Sequence, residues 1–144
     1  MKQVLETIQI EEEESKPLTS ALQVLERMRK GSINLETKKI IKEQQKWGIF
    51  TKPSQILRWA HVSGIRKQSK FLTDGNNGFC ARGIMQQYLS PDSDNPGIYQ
   101  LDAQMIARQS TYSVFEVIHN MVTLNNTKGS TFLDVANYLE SKGL

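Results

Sequence analysis

The chain is poor in reactive and cross-linking side chains. Cysteine occurs once, at position 80, and histidine twice, at 61 and 119. A single cysteine excludes an internal disulfide framework and fits a reducing compartment, so a cytoplasmic location is expected. Two distant histidines and one thiol make no ligand cluster, so neither a metal site nor a cofactor is expected. No apolar run approaches the roughly 20 residues that cross a bilayer. The first residues lack the basic-then-apolar pattern of a signal peptide, so no membrane partner is expected. The chain contains neither an internal repeat nor a low-complexity linker.

What is present is a 144-residue chain with 38% hydrophobic residues, long enough for one domain with a real core. Its net charge of +3 hides an asymmetry. Residues 31–70 hold nine Lys/Arg against two Glu, whereas residues 71–144 hold four against seven acidic groups. The basic block is a candidate contact surface for a polyanion. It supplies Lys38, Lys39, Lys42, Lys46, Arg58, Arg66, Lys67 and Lys70 as nucleic-acid-binding candidates, with Trp47 or Trp59 available to stack. The plain alternative is that these lysines are a solvated face and that both tryptophans belong to the core.

The spacing of apolar residues predicts a mainly α protein, a single compact helical domain of about six helices over 17–144. Residues 1–16, with the run Glu11 to Glu14, read as a flexible acidic arm. A first helix follows Pro17 and ends at Gly31, burying Leu22 and Leu25. A second spans about Asn34–Trp47, with Leu35, Ile40, Ile41 and Gln44 inward. A third starts at Pro53, a favourable first-turn residue, and carries Ile56 and Leu57. The turn His61–Gly64 and the basic segment Ile65–Lys70 give that region a helix-turn-helix outline. Residues 90–97 read as a plain turn, with room for a short extended element near 98–101 before the next helix. Ser110-Thr111 and Ser130 are the expected caps of the last two helices, whose core residues are Val114, Phe115, Ile118 and Val122, then Phe132, Val135 and Leu139.

The stretch Thr73–Leu89 concentrates special backbone and special chemistry: three glycines, two asparagines, the single cysteine and an apolar helix start with Ile84 and Met85. Asn77 or Gly78 is the expected cap, which places Cys80 in the first helical turn, where unpaired N–H groups and the helix dipole lower a thiol's pKa. On that reading Cys80 is a candidate nucleophile, His119 its base, and Asn120 or Asn125 an orienting group. The competing reading is a small buried residue at a tight loop-to-helix junction.

Phe79-Cys80-Ala81-Arg82-Gly83-Ile84-Met85 resembles the C-A-x-G-x-[LM] helix start of small uncharacterised bacterial and bacteriophage proteins. Leu124-Asn125-Asn126 with Ser130-Thr131-Phe132-Leu133-Asp134-Val135-Ala136 resembles the segment that closes them, although Asn126 stands where an aspartate is usual. The resemblance implies a mostly helical domain in a phage or mobile-element setting, hence the cytoplasm of a bacterial or infected host cell, and it implies no activity. The reading that needs fewest special residues is a non-enzymatic accessory protein that docks on a protein partner. Nucleic-acid binding through 31–70 is the first alternative and a thiol hydrolase with Cys80 and His119 the second; the oligomeric state stays open.

Overall fold

The computed structural model describes residues 35–68, 78–94 and 100–144. The expected arm at 1–16, the first helix, Lys70 and the expected extended residues 98 and 99 lie outside them. Residues Asn34–Leu144 form one compact unit. Among the described residues there are six helices: α1 at 35–45, α2 at Pro53–Val62, α3 at Ala81–Leu89, α4 at Leu101–Gln109, α5 at Val114–Asn126 and α6 at Phe132–Ser141. A short parallel pair joins β1 (Arg66–Lys67) to β2 (Gly78–Phe79), with Arg66 opposite Gly78 and Lys67 opposite Phe79.

The protein is therefore mainly α with a short extended element, as the sequence predicts, and among the described residues that element is the β1–β2 pair. Leu101 already opens α4. The segment after Gly64 is a strand rather than the second helix of a helix-turn-helix. Among the described residues 65–68 only Ile65 is buried, too little apolar surface to pin a helix to α2. Gly64, at φ 78°, ends α2 in the left-handed region that glycine tolerates, and the chain leaves extended toward Phe79.

Local chemistry explains the remaining boundaries. Pro53 opens α2, and the Gln55 side chain accepts the Thr51 and Lys52 backbone N–H groups, both at 3.1 Å. The caps of α5 and α6 are Ser113 and Thr131, each one to three residues beyond the expected position. Asp134 reaches back to the Thr131 N–H at 2.8 Å, completing a capping box. In α1 the helix ends before Trp47, because the chain turns at Gly48 (φ 126°) and Gln44 Nε2 donates to the Gly48 carbonyl.

α3 is central, packing on α2, α4, α5 and β2, and α2 lies along α6. Ile56, Leu57, Ala60, Ile84, Met85, Tyr88, Met121 and Leu139 are fully buried in this core. The inward face of α5 is Val117, Met121 and Asn125, spaced i, i+4, i+8. Phe115 and Val122 are thus not core residues, being 87% and 38% exposed, and Leu35 is 56% exposed. In α1, Thr37 and Ile41 take the inward stripe.

Candidate functional site

The β1–β2 pair, the start of α3 and the end of α5 meet around Asn125. This side chain is almost fully buried. Its Oδ1 accepts the Ala81 N–H at 3.0 Å and its Nδ2 donates to the Gln68 carbonyl at 2.9 Å. Gln68 in turn donates its N–H to the Phe79 carbonyl at 2.8 Å, and Lys67 Nζ donates to the Asn125 carbonyl at 2.6 Å. One amide thus satisfies a buried helix-start donor and a half-buried acceptor just past β1. Asn125 is the last inward position of α5.

Cys80, not Asn77 or Gly78, is the N-cap of α3, and its Sγ accepts the Gly83 N–H at 3.3 Å. Burial pushes the thiol pKa up, and the Gly83 and Arg82 backbone N–H groups pull less strongly the other way. The expected helix-dipole activation is therefore outweighed by burial. Cys80 borders a pocket of about 170 Å³ with Arg82, Met121, Val122, Asn125 and Asn126. His119 is exposed and does not line this pocket. Asn120 donates to the Tyr138 hydroxyl at 2.9 Å, and Asn125 is engaged as described. The structure does not bring the four candidates of a thiol hydrolase into one hydrogen-bonded array.

Arg82 and Asp102 form a pair that sequence reasoning did not single out. Asp102 is fully buried in the first turn of α4, and Arg82 Nε and Nη2 donate to its two carboxylate oxygens at 2.6 and 3.2 Å. The hydrogen bond to Asp102 holds the Arg82 guanidinium above its usual pKa. The available signal was the lone arginine inside Phe79–Met85, since a charge in an apolar run needs a buried partner.

The basic block is spread over several faces and much of it is already paired. Lys38 bonds Asp94, Lys42 bonds Asp92 and Lys46 bonds Glu43. Arg58 makes a forked contact with Glu140 at 2.8 and 2.6 Å and also donates to Asn137 at 2.7 Å. Lys67 is committed to the Asn125 carbonyl. Arg66 is exposed on β1 and Lys39 is exposed on α1. The acidic turn at 90–94 therefore answers α1, and α6 answers α2, which is where the charge asymmetry along the chain goes.

Lys39 borders a shallow groove of about 520 Å³ with Ile40, Glu43, Gln44, Trp47 and Trp59. Its two tryptophans differ. Trp59 packs on the core, its ring 5.5 Å from that of Tyr88 and 6.5 Å from that of Phe50. Tyr88 locks this layer, accepting the Phe50 N–H at 3.0 Å and donating its hydroxyl to Gln44. Trp47 is instead 87% exposed, against the expectation that both tryptophans pack inside.

Among the described residues no three His, Cys, Asp or Glu side chains gather as metal ligands, and no helix is long and apolar enough to cross a membrane. No family model, no curated protein and no solved structure matches this chain.

Proposed function

We propose that this protein is a small non-enzymatic interaction module that docks on a protein partner through the groove between α1 and α2, with Trp47 as the anchor. The observation that carries the reading is the 87% exposure of Trp47 beside a groove floored by Ile40 and Trp59. A large aromatic left in water next to an apolar recess is the composition of an interface hot spot. The charges bordering the groove, Lys39 and Glu43, balance each other, which suits a protein surface better than a phosphate backbone. The pairing of Lys38, Lys42, Lys46 and Arg58 with carboxylates also leaves fewer cations for counterion release. The buried, free thiol supports a structural role for Cys80 and a reducing compartment, the cytoplasm of a bacterial or infected host cell. A phage or mobile-element setting belongs to the same proposal and rests on the C-A-x-G resemblance alone.

The test is capture from nuclease-treated lysate with the full chain and with Trp47→Ala as baits. A partner held by the parent chain and lost by the variant is then purified and titrated, following tryptophan fluorescence. The expected outcome is a nuclease-resistant protein whose affinity falls at least about thirtyfold in Trp47→Ala, the scale of a hot spot. Capture indifferent to Trp47, or capture that disappears with nuclease, overturns the reading.

A further inference from the structure

The outward stripe of α5 carries a knob and a hole. Phe115 is 87% exposed at one end of the helix. Seven and eleven residues further on, Val122 and Asn126 share its face and border the pocket beside Cys80. That pocket measures about 170 Å³, with Val122, Met121 and Ala81 among its lining. An apolar cavity of about 150 Å³ accepts a benzene ring, so a phenyl group fits. At 1.5 Å per residue, Phe115 sits roughly 10 to 16 Å from the pocket along the helix axis, too far to fill the pocket of its own chain. A self-complementary pair of features on one face is what a two-fold, isologous contact requires. An antiparallel pairing of the two copies of α5 also sets their helix dipoles in opposition, the favourable arrangement.

We propose that α5 is the contact face of a two-fold dimer of this chain, in which Phe115 of each copy fills the pocket between Cys80, Val122 and Asn126 of the other. The axis then crosses α5 near His119, midway between the knob and the hole. This contact is separate from the tryptophan groove, so either proposal stands if the other fails.

Sedimentation velocity on the full chain from 5 to 200 μM is the test. A reversible dimer is expected. Phe115→Ala, which removes two buried rings per dimer, weakens it at least about a hundredfold, and Trp47→Ala leaves it unchanged. Circular dichroism confirms that Phe115→Ala folds. A second measurement uses His119→Cys in a Cys80→Ser background. Mild oxidation with copper phenanthroline gives a covalent dimer, each pair of thiols surrendering two protons and, to the oxidant, two electrons. Adding Phe115→Ala suppresses that band. A strict monomer at 200 μM, a dimer that Phe115→Ala does not weaken, or an equally fast cross-link without the Phe115 ring each overturns the proposal.

Discussion

Replacing Asn125 by alanine removes an amide that serves one buried and one half-buried backbone group at once. The Ala81 N–H loses its acceptor and the Gln68 carbonyl loses its donor. A buried polar group left unpaired costs about 1–3 kcal/mol. The buried Ala81 N–H carries that cost in full and the half-buried Gln68 carbonyl only part of it, a loss of about 2–4 kcal/mol. For a unit of this size, that lowers Tm by about 10–20 °C. Asn125→Asp divides the effect. A carboxylate still accepts from Ala81 but cannot donate to Gln68, and at neutral pH it brings a charge into a desolvated site. Burial raises its folded-state pKa above the unfolded value, so the added penalty is absent below about pH 4 and grows as pH rises through the folded value. Lys67, bonded to the same residue's carbonyl, offsets part of that penalty. Urea denaturation at pH 4 and pH 7 measures both variants. A loss under 1 kcal/mol for Asn125→Ala with an unchanged m-value would refute the assignment of Asn125 as the residue that ties α3, α5 and β1 together.

Two further outcomes follow from the ion pairs. Arg82→Met leaves the fully buried Asp102 carboxylate without its cation and is expected to cost about 3 kcal/mol. Asp102→Asn costs less, because the partly exposed guanidinium of Arg82 can turn to water; equal costs in thermal melts would show that Asp102 is not desolvated. Lys38 and Arg58 hold the Asp94 and Glu140 carboxyls below their usual range. Lowered carboxylate pKa values contribute stability that is present above about pH 4 and lost as pH falls through the folded values. Asp94→Asn with Glu140→Gln should therefore flatten the acid limb of a Tm-versus-pH curve, as should 0.5 M salt, since these carboxylates lie at the surface. An acid limb unaltered by both would place the acid sensitivity elsewhere.

The helices were legible because their signals are local: Pro53 at a first turn, apolar spacing in α2, α3 and α6, and glycines at 48, 64, 129 and 143 where the chain reverses. The face of α5 was not. Val114, Phe115, Val117, Ile118, Met121 and Val122 make apolar residues nearly continuous, so periodicity alone cannot choose among the possible faces. The choice falls on the one that also buries Asn125. The strand pair was hidden because two-residue strands carry no period, and the partner of Arg66 lies twelve positions away in sequence. Of the two readings of Cys80, the buried thiol at a loop-to-helix junction is the one the geometry favours, for a related reason. Helix position is readable from sequence, but burial by α5 is a tertiary fact, and burial is the larger effect on Cys80.

The acidic turn after α3 has a consequence for any polyanion that approaches α1. Asp92 and Asp94 already occupy Lys42 and Lys38, so the chain carries its own competitor for these ammonium groups. A phosphate backbone must displace carboxylates held at the high effective concentration of a tethered ligand. Its apparent affinity is then scaled down by the fraction of molecules in which the turn has let go. Because Asp92 and Asp94 are solvent-exposed, each pair is weak, and the competition lowers the affinity of α1 for a polyanion without abolishing it.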